Sequence, residues 1–283
     1  MKRFVFVADY FSNQVKGGAE FTTDSLIEFN DAHEIVKINC QSVTPEIVDR
    51  YKDCHWIVGN FSLLNDKMKV YFCKNLSYSL IEYDYKFCKY RSTMKHRAIE
   101  GKDCDCVQTF EGKINSAFYG YAQKIWFMSE SQREVFLSFV KTIKLAKTEV
   151  LSSIFSSGDL RFMNSIKDNE KDDNFLILGS NSWIKGTKEC IVFAKENSLS
   201  YEVISGMSYH ELLIKMSTSR GLIFRPLGLD TCPRIVIEAK LLGCELMLNE
   251  NVQHKDETWF SGTTEDCLNY LQTRPETFWN YYE

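Results

Sequence analysis

Residues 221–249 read GLIFRPLGLDTCPRIVIEAKLLGCELMLN. Two short apolar runs, GLIF and CELMLN, bracket PRIVIEAKLLG, whose apolar residues recur at helical spacing. Pro233 suits the first turn of such a helix, where its missing N–H is no loss, and Gly243 suits the position just past its end. Strand, helix and strand in this order make a βαβ unit, which requires a parallel sheet. A single carboxylate, Glu238, interrupts the helix between Ile237 and Ala239, and Asp230 stands eight residues earlier in the loop. A carboxylate inside an apolar helix is costly unless donors reach it, so both acids call for partners.

The same alternation extends outward. NFLILGS, SYEVISG, GLIFRP and CELMLN read as strands, with KGTKECIVFAKENS, YHELLIKMSTS and PRIVIEAKLLG as the helices between them. Toward the N-terminus, RFVFVADY, EIVKIN, HWIVGNF, SYSLIEY and KIWFMS read as strands, GGAEFTTDSLIEFN as a loop and helix, and SQREVFLSFVKTIK as a helix. The polar run NSIKDNEKDDN, residues 164–174, interrupts the pattern and reads as a joint. The expected architecture is α/β, with Rossmann-like domains over 1–168 and 169–272 and an aromatic-rich helix over 273–283 packing back on the first. Their parallel sheets would face each other across a cleft, with ligands at the carboxyl ends of the strands.

At 283 residues with 44% hydrophobic and 14% aromatic content, the chain can bury a substantial core. Its net charge of −4 supplies no global field toward nucleic acid or anionic lipid. No apolar run reaches the ~18 residues of a membrane span. MKRFVFVADYF is broken by Asp9 and reads as a first strand, not an export signal. The ten cysteines are scattered, as reduced thiols of a cytoplasmic protein would be.

Three loops after strands carry candidate groups. Gly17-Gly18 permits close backbone approach of a ligand at a helix N-terminus, or serves as a flexible turn. Lys185-Gly186 opens a helix where the lysine can reach a phosphate. The backbone N–H groups of Thr231, Cys232 and Arg234 precede or begin the helix that carries Glu238, a diphosphate-binding arrangement. The plainer alternatives are a solvated lysine, and a glutamate that reaches solvent or an internal arginine. No GxGxxG follows the first strand, which argues against a reductase.

Taken together, GGAE after the first strand, KG after the first strand of the second half, and Asp230-x7-Glu238 with Ala239 and Gly243 resemble the retaining, nucleotide-sugar-dependent glycosyltransferases of the GT-B fold, the large clan around family 4. The resemblance covers most of the chain and is densest over 175–252. It implies transfer of a sugar from a nucleoside diphosphate sugar, a UDP-sugar being favoured, to an acceptor hydroxyl with retention. It further implies that Glu238 holds the donor ribose, that Asp230 lies at the sugar hydroxyls as the second acid of the catalytic pair, that Lys185 neutralises the diphosphate, and that Gly17-Gly18 closes over it. Such proteins commonly need no metal at the diphosphate. Three features depart from the family pattern. Ser180 follows Gly179 where an arginine is frequent, leaving Arg234 or Arg225 as substitutes; the first acid is Asp; and IEYDYK stands where a histidine near the fourth strand is common.

A second constellation lies in residues 85–106, YKFCKYRSTMKHRAIEGKDCDC. Cys88, His96, Cys104 and Cys106 have the chemistry of a tetrahedral Cys3His structural zinc site, although C-x7-H-x7-C-x-C is no standard finger. The other reading is reduced cysteines beside a solvated histidine. The same segment is basic, with Lys86, Lys89, Arg91, Lys95, Arg97 and Lys102. It reads either as an anion site, for a phosphorylated acceptor or a nucleic acid, or as a solvated loop. The acceptor is thus open among a glycan, a small molecule and a modified nucleic-acid base. A nucleotide-sugar binding module without turnover is the alternative from a different functional class.

Overall fold

The structure is a computed structural model, and it describes residues 2–283. The chain divides into two compact units, one formed by residues up to Ile154 together with Arg274–Glu283, the other by Phe155–Thr273.

In the first unit the order is β1 (Arg3–Ala8), α1 (Gly18–Glu28), β2 (Glu34–Asn39), α2 (Pro45–Arg50), β3 (His55–Val58), α3 (Asp66–Asn75), β4 (Tyr78–Glu82), α4 (Thr93–Glu100), α5 (Phe110–Tyr121), β5 (Lys124–Phe127), α6 (Glu130–Phe139) and β6 (Thr148–Val150). The six strands form a sheet in the order β2-β1-β3-β4-β5-β6 with every pairing parallel. Interior strands of such a sheet are covered on both faces, so they are continuous apolar runs and not alternating ones. Accordingly all of β4 and β5 is buried and β1 is buried after Arg3, while the edge strand β2 is half-exposed. The sequence shows only five of these strands, because β6 is three residues long and too short to carry a period.

The second unit contains α7 (Ser157–Ile166), β7 (Phe175–Leu178), α8 (Thr187–Glu196), β8 (Tyr201–Ile204), α9 (Tyr209–Ser217), β9 (Gly221–Phe224), α10 (Arg234–Leu241), β10 (Glu245–Leu248), α11 (Thr258–Ser261) and the start of α12 (Thr264–Asn280). Its sheet runs β10-β9-β7-β8, again all parallel. Phe175, Ile177 and Ile223 of the sheet pack with Cys190 and Ala194 of α8 into a buried cluster. Gly243, just past α10, has a φ of 70°, the left-handed stop expected of it.

The division at Ile154 and Phe155 puts α7 and the polar run 164–174 inside the second unit, so that run is the connection from α7 to β7. At the C-terminus, Trp279 donates to the Leu26 carbonyl at 2.9 Å, and the Trp126 indole donates to the Tyr282 hydroxyl at 3.0 Å. These contacts give the aromatic tail its packing partners within the first unit. Among the described residues no helix is long and apolar enough to cross a membrane.

Candidate functional site

In the second unit the loops after β7, β8 and β9 all leave the carboxyl ends of parallel strands, so they gather at one edge of the sheet. Trp183–Lys185 makes a single tight turn, and Gly186 follows with φ 60°. A Cβ on Gly186 would meet the Arg225 carbonyl at 2.6 Å, so only glycine lets this loop lie against the end of β9. Leu227 N–H donates to the Ile184 carbonyl at 2.9 Å and locks the two loops together. The result joins residues distant in sequence: Lys185 Nζ lies 2.7 Å from Asp230 Oδ2 and 5.3 Å from the Phe224 ring centre. Asp230 is fixed through its backbone, which donates to the Asn251 carbonyl at 2.8 Å and accepts from Gln253 N–H at 3.0 Å.

Glu238 lies on α10, every residue of which except Lys240 is buried. Its carboxylate accepts from the Tyr209 hydroxyl at 3.0 Å, and Arg234 Nε, one turn earlier, lies at 3.5 Å. Burial pushes the Glu238 carboxyl above its ordinary range, and the Arg234 charge and the Tyr209 hydrogen bond oppose that shift. The Arg234 guanidinium sits 3.9 Å from the Phe155 ring centre and 4.0 Å from Asp159. Of the alternatives raised for Glu238, the internal arginine is the one found.

This geometry bears on the substitute cations. Arg234 is committed to Glu238 and Phe155. Arg225 donates to the Leu248 carbonyl at 2.8 Å and lies over the Phe193 ring at 4.2 Å. Lys185 is therefore the cation that this edge presents alongside an acid within reach of solvent. Thr231 and Cys232 are buried ahead of the helix start, with Pro233 immediately before Arg234. Tyr209 was not legible as a site residue. It heads α9 in an apolar pattern, and only the fold aims its hydroxyl at Glu238.

In the first unit, Gly17 precedes α1 in an extended conformation, φ −130°. A Cβ there would meet Glu20 Oε2 at 2.3 Å. The room left by the missing side chain is taken by the first-turn carboxylate of the same helix, which also accepts from Asn60 Nδ2 at 3.4 Å. Gly18 begins α1 itself.

At the end of β4 lies a buried polar network with no counterpart in the sequence reading. Glu82 is fully buried and faces Lys86 Nζ at 2.9 Å, accepts from Asp84 N–H at 3.0 Å, and takes the Tyr119 hydroxyl. Burial raises the Glu82 carboxyl to about 7 despite Lys86. Arg91 pairs with Asp84 and donates to Asn60 Oδ1 at 3.3 Å. The neighbouring Arg91 and Lys86 charges hold Asp84 below its usual range although burial opposes them.

The segment 85–106 brings Cys88, His96, Cys104 and Cys106 together, all buried, with their ligand atoms within 4.8 Å of one another. His96 Nδ1 lies 3.4 Å from Cys106 Sγ and 3.8 Å from Cys88 Sγ. His96 is 1% exposed, so the solvated histidine expected as the alternative is not what the fold makes. The basic residues of this segment are largely matched by acids: Lys86 with Glu82, Lys89 with Glu100, Arg91 with Asp84, Arg97 with Asp103 and Lys102 with Asp105. Local pairing of this kind consumes much of the positive field that an anion site needs.

No family model matches the chain, and no curated protein matches it. Solved structures do. The Anabaena protein HepE, solved with UDP and glucose, is 10% identical over 96% of this chain and 89% of its own, with a TM-score of 0.58. A UDP-forming α,α-trehalose-phosphate synthase from Burkholderia xenovorans is 9% identical, covering 98% of this chain and 94% of its own, with a TM-score of 0.55. A UDP-GlcNAc 2-epimerase from Neisseria meningitidis, bound to UDP-GlcNAc, is 12% identical over the whole of this chain and 93% of its own, with a TM-score of 0.52. Likeness at such identity is likeness of fold, and it agrees with the all-parallel sheets of the two units. The chain has the α/β architecture of the GT-B fold.

Proposed function

We propose that this protein transfers a sugar from a nucleoside diphosphate sugar, with UDP as the preferred nucleotide, to an acceptor hydroxyl with retention. The observation that carries the reading is the pairing of Lys185 with Asp230 at the carboxyl edge of the second sheet. It is a cation that a diphosphate would draw away, beside an acid that a sugar hydroxyl would then engage. Lys185 supports the departing diphosphate as a point charge while Gly186 keeps its loop against β9. Glu238 holds the ribose, whose hydroxyls take over the hydrogen bond that Tyr209 makes with it. Thr231, Cys232 and Arg234 supply backbone N–H groups to the diphosphate. The fold likeness supports the donor class, since HepE was also solved with UDP-glucose. The acceptor class stays open among a glycan, a small molecule and a modified nucleic-acid base, and the cytoplasm is the compartment we assign, consistent with ten free cysteines.

The engagement of Arg225 and Arg234 elsewhere favours a second reading, a module that binds nucleotide sugars without transfer. Thermal unfolding with UDP, GDP, ADP, CMP, dTDP and their sugar conjugates tests both. A ligand at ~100 times its dissociation constant adds about 2.7 kcal/mol to the folded state. We expect UDP and a UDP-sugar to give the shift and Glu238→Ala to abolish it. Release of free UDP in the presence of an acceptor separates transfer from binding. Absence of any nucleotide shift in a cooperatively unfolding protein refutes the proposal.

A further inference from the structure

The strongest chemistry outside the proposed donor site is the cluster of Cys88, His96, Cys104 and Cys106 in the first unit. We propose that these residues bind one zinc ion in a tetrahedral Cys3His site and that the ion pins the excursion between β4 and α5. This inference is independent of the sugar-transfer reading and would stand if that reading fell.

Geometry carries it. Zinc bonds of about 2.3 Å to sulfur and 2.0–2.1 Å to nitrogen place a ligand sulfur and nitrogen about 3.6 Å apart in a regular tetrahedron. The two measured Sγ–Nδ1 separations, 3.4 and 3.8 Å, bracket that edge. All four ligand atoms lie within 4.8 Å of one another, so the group needs little contraction to close on an ion.

The far side of His96 agrees. Its Nε2 is buried, has no hydrogen-bond partner, and lies 3.8 Å from Asp105 Oδ1. A metal-bound histidine directs its other N–H at a carboxylate, which fixes the tautomer that leaves Nδ1 free for the ion. Asp105 is therefore the positioning residue. Without a metal, His96 Nδ1 faces only two weakly bonding thiols, at 3.4 and 3.8 Å.

The backbone is built to hold the ligands. Ser92 caps α4 by accepting from Lys95 N–H, and α4 carries His96 on its buried face before stopping at Gly101, φ 68°. The Cys106 carbonyl accepts from Thr109 Oγ1 at 2.9 Å. A Cβ on Gly112 would meet that carbonyl at 1.8 Å, so α5 can pack on Cys106 only through a glycine. Tyr85 and Phe87 anchor the start of the excursion against Phe136 and Phe139, while its later part, from α4 to Cys106, is held by short α4, a single 3-10 turn and local ion pairs. A tetrahedral sulfur-nitrogen set selects zinc or an iron–sulfur cluster over hard cations.

The test uses the full-length protein purified from zinc-supplied cells. Metal analysis should find about one zinc per chain, and titration of the thiols with a mercurial should release it to a colorimetric chelator. Cobalt substituted for zinc should give the intense visible bands of a tetrahedral thiolate site. His96→Ala should lose the metal, whereas His96→Cys should keep it with the cobalt bands shifted toward those of four thiolates. This pair separates loss of a ligand from a general failure to fold. Asp105→Asn should retain zinc but release it faster to a chelator. Purification without zinc and without cobalt bands on reconstitution would overturn the proposal. So would stoichiometric iron with cluster absorption, or a disulfide among the four positions in freshly isolated protein.

Discussion

Two buried glutamates in this molecule have nearly the same neighbours and different consequences. Glu82 in the first unit pairs with Lys86 four residues away and takes the Tyr119 hydroxyl. Glu238 in the second pairs with Arg234 four residues away and takes the Tyr209 hydroxyl. Glu82, however, has its lysine at 2.9 Å and a backbone N–H at 3.0 Å as well. Glu238 has its arginine at 3.5 Å, and that arginine is shared with Phe155 and Asp159. A carboxylate surrounded at close range by three donors is a structural anchor. One held more loosely retains acceptor capacity for a ligand hydroxyl. The comparison teaches that equal burial can leave two carboxylates with donor sets of different completeness, and the looser one is where the proposed ribose contact is placed.

The largest effect should come from breaking the tighter pair. Glu82→Ala leaves the Lys86 ammonium buried, and we expect a loss of about 3 kcal/mol in urea unfolding, the low end for a broken buried pair because Asp84 still faces Lys86. The same change at Glu238 should cost less, on the order of 1–2 kcal/mol, because Arg234 keeps Asp159 and Phe155, yet it should remove the stabilisation by UDP. Equal losses at the two positions with the UDP response intact would collapse the distinction.

A pH experiment sharpens it. Glu82 takes up its proton at about 7 in the folded protein against the ordinary 4.5 of the unfolded chain. Between those values the folded state holds a proton that the unfolded state has released. Its contribution is therefore fully present below pH ~4.5 and is lost as pH rises through about 7. Relative to Glu82→Gln, the wild-type protein should lose on the order of 2 kcal/mol between about pH 5 and pH 7.5, followed by urea midpoints. A flat difference would mean that Lys86 keeps Glu82 ionised throughout.

The smallest stability effect belongs to Lys185→Ala, under ~1 kcal/mol, since its pair with Asp230 is partly solvated. Its signature should be in binding: UDP affinity should fall by roughly tenfold or more while uridine affinity is unchanged. An unchanged UDP affinity would remove Lys185 from the diphosphate.

Much of this was legible in the sequence. The apolar runs that make the central strands, the glycines and proline that punctuate the helices, and the order of strand and helix all act over a few residues. Local chemistry therefore determined the parallel α/β class, the places of Lys185, Asp230 and Glu238 after or near strands, and the grouping of Cys88, His96, Cys104 and Cys106. What acts between distant residues could not be read. The three-residue β6 exists because β5 offers it a ladder. Tyr209 meets Glu238 across 29 positions and Tyr119 meets Glu82 across 37. Lys86 and Arg91 of the basic stretch are partnered by Glu82 and Asp84 at the end of β4, while Glu100, Asp103 and Asp105, which pair with Lys89, Arg97 and Lys102, stand in the stretch itself. Periodicity and turn chemistry are properties of the chain, but the partner that satisfies a buried charge is chosen only when the chain closes on itself.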